Sequence, residues 1–296
     1  MQWISKRFQF LFRSTKGLIL VAIAFAALIS AFFGLLSGPM ADYGVKDVVV
    51  RLLNIDLNPA EREGRLIALY HTLAMVAIAV EVYMITDLLK MKDSQRLSIN
   101  STITVGYLMV IFGGLPFAYW GHNWVLHGIY IAGLSLIFFA GCLLLVALWP
   151  WQEEYKLSTR DYAHTRKGYD LERMAFFMVA LVTLISAIFG AVPGSFFGNG
   201  FEVFLAENVV REPHKTQLDL SIIGHLHIML ALIAIMCALI IGRWMDFKGF
   251  WHKLAMPFYI VGAFVLSLGT WMVVPFETLA HAIIYGGSTI AMLGAL

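Results

Sequence analysis

LDLSIIGHLHIMLALIAIMCALIIGR, residues 218–243, decides the fold. From Leu220 to Gly242 its only ionisable side chains are His225, His227 and Cys237. Such a stretch is long and apolar enough to cross a bilayer, which takes about 20 residues. Imidazole in a lipid-spanning helix is costly and rare, so each ring marks a candidate functional site. At about 100° per residue, rings two positions apart point about 200° apart around the helix. His225 and His227 therefore serve opposite sides.

The rest of the chain is of the same kind. It has 296 residues, 60% hydrophobic and 14% charged, with a mean hydropathy of +0.78. A soluble domain carries about 25% charged residues, so composition places the chain in the membrane class. A net charge of +2 says little about partners. No basic stretch interleaved with aromatics is present, which argues against nucleic acid. Cys142 and Cys237 both fall in apolar runs, giving neither a disulfide framework nor a CxxC metal or haem-attachment motif. Both thiols read as packing.

Eight runs are long enough to span, at about 17–38, 66–89, 98–118, 124–149, 173–194, 220–242, 252–274 and 277–296. The first follows a basic segment, as a signal peptide would, but it is too long for one and its sequence recurs. LISAFFGLLSG at 28–38 matches LISAIFGAVPG at 184–194 at seven of eleven positions, 156 residues on. Val105-Gly106 recurs as Val261-Gly262 at the same offset, and LHGIYIAG at 126–133 resembles AHAIIYGG at 280–287, 154 residues on. The expected architecture is all-α and polytopic, with eight transmembrane helices in two four-helix units, 1–150 and 151–296. Four is even, so the copies run parallel, unlike inverted-repeat transporters.

Lys and Arg set the orientation. Segments 1–16, 90–97, 150–173 and 243–253 hold fifteen of the 21 basic residues, which predicts an inner (cell) membrane protein with both termini cytoplasmic. The opposite side holds Lys46, Arg51, Arg62, Arg65, Arg211 and Lys215. The outer loops 39–65 and 195–219 read as ordered caps. Trp120, Trp124 and Trp271 near one boundary, and Trp149, Trp151, Trp244 and Trp251 near the other, form the expected aromatic belts.

Seven of the nine histidines fall on or near the outer half. His71 lies early in the second run and His127 early in the fourth. Their counterparts are His225 or His227 in the sixth run and His281 in the eighth. An offset of 156 selects His227 for His71, and 154 selects His225. Each unit thus offers one imidazole from its second helix and one from its fourth, the donor set of a bis-histidine haem b. Gly128, Gly133, Gly224, Gly286 and Gly287 read as room for the macrocycle. Arg65, with Arg211 or Lys215, reads as a propionate partner. For His122 and His214, in or beside loops, solvation or a helix-bridging bond is the better reading. Met75 and Met229 read as core filler. Copper or zinc accepts imidazole too, but wants three or four convergent ligands, and no HxxxH, HExxH or ExxH pattern is present. Glu81, deep in the second run, reads equally as a proton-handling group and as a protonated acid bonded to a neighbour.

The tandem four-helix unit, the early His71 and the pair His225-x-His227 resemble the catalytic subunits of the haem-copper oxidase and nitric-oxide reductase superfamily. The resemblance implies that His71 ligates a low-spin haem and that His225 and His227 serve two different haems. The chain departs from that family in having eight spans, no HPExY segment and no His-His copper pair, so the resemblance carries haem ligation and not oxidase activity. The expected protein has no catalytic residues of its own. It is a haem b electron-transfer subunit of an oxidoreductase complex, with two haems near the outer leaflet. It passes electrons between a quinol pool and an outer-side cytochrome or similar partner, alongside other subunits. The competing expectations are a copper-transporting or copper-handling membrane protein, and a haem-free structural subunit whose histidines bridge helices.

Overall fold

In hydrocarbon every backbone N–H and C=O must be satisfied within the chain, so an apolar run of spanning length becomes a helix. The computed structural model describes residues 25, 28, 45–55, 62–120, 123–157, 165, 167–194 and 217–296. The helices are α1 Val45–Leu53, α2 Arg62–Leu88, α3 Asp93–Trp120, α4 Trp124–Ala147, α5 Leu171–Gly194, α6 Gln217–Trp244, α7 Phe250–Trp271 and α8 Glu277–Ala295, with a 3-10 turn at Glu153–Tyr155. Seven of them, α2 to α8, are long and apolar enough to cross a membrane, and no strand occurs among the described residues. The chain is an all-helical, multi-pass membrane protein. The run at 17–38 lies outside the described residues except for Phe25 and Leu28, both helical.

Local chemistry sets the helix starts. Asn123 Oδ1 accepts from the backbone N–H groups of Val125 and Leu126 at 2.8 and 3.3 Å, capping α4. Asp170 Oδ1 does the same for α5, accepting from Glu172 and Arg173 at 2.9 and 3.0 Å. Burial pushes the Asp170 carboxyl above its usual range, and those two N–H bonds oppose the shift. α1 lies in the segment expected to be an outer cap, and Trp120 Nε1 donates to its Leu53 carbonyl at 3.2 Å.

The residues group into two compact units, Met1–Val80 with Asn100–Phe139, and Glu81–Ile99 with Ala140–Leu296. Within the first, α3 and α4 approach backbone to backbone. A methyl at Gly106 would meet Gly133 O and Ile137, and one at Gly113 would meet Tyr130 N and Ile129. A methyl at Gly133 would meet Val110 N at 2.7 Å.

Within the second unit α7 packs on α5, α6 and α8, and α5 packs on α6. The α7–α8 pair meets at the same relative positions. A methyl at Gly262 would meet Ala291, one at Gly269 would meet Ile284 N and Ile283, and one at Gly287 would meet Leu266 N. Each α7 residue lies 156 positions after its α3 counterpart, and each α8 residue 154 after its α4 counterpart. Within each of two helical hairpins far apart in sequence, the paired helices thus meet through matching contacts.

At one end of the second unit the helices are tied by buried charge. Arg173, at the start of α5, is 2% exposed. Its Nη1 donates to Lys90 O, just past α2, at 2.9 Å, and its Nη2 donates to Ala147 O, the last residue of α4. The guanidinium also lies 3.5 Å from the centroid of the Tyr155 ring. Its neighbour Glu172 takes Arg243 Nη1 from the end of α6 at 2.8 Å. His252 Nε2, from the start of α7, stands at 3.2 Å from Glu172, at ion-pair distance but without hydrogen-bond alignment.

Candidate functional site

The histidine pair that opens α6 is the best-defined constellation. His225 Nδ1 lies 3.0 Å from the Ser186 carbonyl of α5, and His227 Nδ1 lies 2.8 Å from the Ile223 carbonyl one turn back on its own helix. A carbonyl oxygen only accepts, so both Nδ1 atoms carry the proton. The tautomer is thereby fixed, and in each ring the Nε2 lone pair is the free ligating position. No hydrogen bond to either Nε2 occurs among the described residues.

His225 is half-buried in a seat made by α5. Its ring lies directly on Gly190, where any Cβ would run into Cε1 and Nδ1. Ser186 is fully buried, and its hydroxyl accepts from Trp271 Nε1 at 3.1 Å. One serine thus holds the imidazole through its carbonyl and the indole through its hydroxyl. Next to it, Gly224 lets α6 close on Thr270 and Val273, which a methyl would meet at 3.2 and 3.3 Å. Gly190→Ala is expected to evict the ring and cost about 1–3 kcal/mol, the usual penalty of overpacking. The same change in a His225→Ala background should be close to neutral. A double-mutant cycle on thermal unfolding reads the difference, and equal costs in both backgrounds would remove Gly190 from the seat.

The other predicted ligands each have their own immediate neighbours. His71, on α2, is half-buried and meets the Tyr130 ring edge to face, with centroids 6.3 Å apart at 76°. His127, on the first turn of α4, stacks on Trp124 at 5.9 Å and 12°. His227 and His281 are exposed. Arg65 lies in α2, but its side chain is outside the described residues, as are His122, Arg211, His214 and Lys215. Among the described residues no three His, Cys, Asp or Glu side chains converge as a metal set.

Two sequence expectations are corrected. Gly133, Gly224 and Gly287, expected to leave room for a macrocycle, instead let helix backbones approach, and neighbouring helices fill that space. Gly128 and Gly286 do border open space, which lies on the outer surface of the chain. Cys237, expected only to pack, donates its thiol to Glu81 Oε1 at 3.2 Å. Ser186, Gly190 and Trp271 were not legible as parts of the site. The one signal for two of them was the recurrence of LISA-x-FG, which contains Ser186 and Gly190.

Exposure along α2 and α6 agrees at most positions at an offset of 154, Tyr70 against Gly224 and Tyr83 against Cys237 being the opposed pairs. His71 and His225 are half-buried, Leu73 and His227 exposed, Met75 and Met229 buried, Val80 and Ala234 exposed, and Asp87 and Ile241 exposed. Shifting to 156 sets His71 against the exposed His227 and the buried Glu81 against the exposed Cys237. No protein-family model matches the chain, and no curated protein and no solved structure is similar to it.

Proposed function

We propose that the chain is a membrane-integral b-type cytochrome subunit, built as two parallel four-helix repeats that together make eight spans. The observation that carries this reading is the tautomer of the His225-x-His227 pair. Two imidazoles in a membrane span are both anchored at Nδ1 by a carbonyl, the orientation expected of an iron ligand. The matching contacts of the α3–α4 and α7–α8 hairpins support the repeat. The parallel exposure of α2 and α6 favours His225 as the counterpart of His71, with His281 as the counterpart of His127. Haem b supplies one-electron transfer when bound, and His71, His127, His281 and one of His225 and His227, with His225 favoured, are the residues that would hold it. The donor chemistry fits. The packed glycines leave the ring no slot among the described residues, so the remaining walls of a haem site would be supplied by another subunit of the complex. An exposed imidazole in lipid is costly, and His227 and His281 call for such a neighbour.

A second reading has one observation in its favour. The His225–Ser186 bond joins α5 to α6, as a purely helix-bridging histidine does. Copper handling is less well supported, since the described residues assemble no three-ligand set. An absorption spectrum of the purified membrane protein separates these readings. A reduced-minus-oxidised α-band of bis-histidine haem b is the expected result. A colourless protein would overturn the cytochrome reading and leave the helix-bridging one.

In this proposal the basic segments face the cytoplasm and the histidines lie toward the outer leaflet, between a quinol pool and an outer-side redox partner. Val50→Cys in α1, in a background lacking Cys142 and Cys237, is then expected to react with an impermeant maleimide applied from outside. Reaction only after permeabilisation would reverse the orientation.

A further inference from the structure

We propose that Glu81 and Cys237 form a proton-binding site within the membrane span, independent of any haem. Glu81 lies inside the spanning part of α2 and is 7% exposed. Its Oε1 accepts from the Cys237 thiol of α6 at 3.2 Å. Among the described residues that thiol is the one titratable group in contact with it, and no ion pair reaches it. Three and four positions either side of Glu81 on α2 the residues are Ala77, Ile78, Met84 and Ile85, and the buried Tyr83 lies two positions on. At the same spacings from Cys237 on α6 they are Ile233, Ala234, Ile240 and Ile241. The nearest charged residues along the two helices, Asp87 and Arg243, are each six positions away, about 9 Å of helix rise.

An ionised carboxylate in that setting would face hydrocarbon with a single weak donor, at a cost of several kcal/mol. The group therefore rests as a carboxylic acid, with its proton on the carboxyl and the thiol hydrogen shared with Oε1. A structural acid of this kind is normally pinned by strong donors and acceptors. Glu81 has a thiol instead, on a residue that is itself exposed at the surface of the chain. The proton is held by few interactions, and Cys237 sets the pair at the surface of the chain within the span. Small metal cations are poorly suited, since Na+ or Ca2+ would need several oxygen ligands and the pair offers one carboxyl. The ligand is H+.

A hydrophobic carbodiimide tests the site in the intact protein in lipid vesicles. Such a reagent reacts only with the protonated acid. The carboxyl proton moves to one carbodiimide nitrogen while the oxygen bonds to the central carbon, and acyl migration then gives a stable N-acylurea. Dicyclohexylcarbodiimide is expected to mark the peptide carrying Glu81 at low pH. The labelling rate should fall about tenfold per pH unit above the titration point. Glu81→Gln should abolish the adduct and keep the parent melting profile, because the amide is the neutral isostere of the acid. Cys237→Ser, a stronger donor to the carboxylate, should move the titration point to lower pH, and Cys237→Ala should move it higher. Labelling that does not vary between about pH 5 and 9 would mean a permanently protonated structural acid, and would overturn the proposal. No labelling at any pH would mean an ionised, cation-paired group, and would overturn it equally.

Discussion

Arg173→Ala is expected to destabilise the folded protein by more than about 4 kcal/mol, at the upper end of what single substitutions do. The guanidinium sits where three chain segments meet and donates to the carbonyls of Lys90 and Ala147. Both acceptors follow or end a helix, where the backbone leaves unpaired C=O groups and the dipole favours a cation. Removing the side chain leaves the buried Ala147 carbonyl without its donor, at about 1–3 kcal/mol, and the part-buried Lys90 carbonyl at less. It also removes the desolvated contact with Tyr155, which adds up to about 2 kcal/mol. Arg173→Lys keeps the charge but has a single ammonium, which cannot span both carbonyls in the fork geometry of a guanidinium. It should fall between the parent and the alanine variant. Thermal unfolding in detergent orders the three proteins. An alanine variant within about 1 kcal/mol of the parent would mean that Arg173 does not hold these helix ends.

Arg173 also marks the boundary of what the sequence alone discloses. As one of five basic residues in segment 150–173 it set the expected orientation, yet nothing in that count placed it in the interior. The apolar runs were legible because lipid makes hydropathy nearly sufficient for a helix. The run read as 173–194 is α5 Leu171–Gly194, and the run read as 252–274 is α7 Phe250–Trp271. The starts drift where a polar first turn belongs to the helix. α3 begins at Asp93 rather than 98, because DSQRL is helical but not apolar. Pairings across helices were not legible. Glu81 meets Cys237 across 156 residues, and Ser186 meets Trp271 across 85. Helical periodicity fixes which face a residue lies on, and it leaves open which helix that face meets. The glycines show the same gap: small residues beside a histidine fit a cofactor slot and a close helix crossing equally, and only the packed partners of Gly133 and Gly287 tell them apart.

The haem reading is exposed most sharply by four alanine variants, which set the two ligand arrangements against each other. If each repeat holds its own haem, His71 pairs with His127 and His225 with His281. His127→Ala and His225→Ala should then each remove half the bound haem, since a porphyrin that loses one imidazole loses half its axial anchoring. His281→Ala should remove the same half as His225→Ala, and His227→Ala should keep the full complement. The arrangement implied by the oxidase resemblance predicts the reverse for three of these, since neither His127 nor His281 belongs to that family's pattern. There His71 and His227 share one haem, His225 serves the other, and His127 and His281 only pack, so His227→Ala loses half and His127→Ala and His281→Ala lose nothing. His225→Ala costs a haem under both and so reports on haem binding itself. The first arrangement is favoured because His225 and His71 share their half-buried setting while His227 is exposed. It is also favoured because the ring of His225 is seated on Gly190 with its Nδ1 on the Ser186 carbonyl, which fixes the imidazole plane before any iron arrives. Haem content per polypeptide in the four variants, each checked for an unchanged melting profile, decides between them. Full haem in all four would remove these histidines from the site.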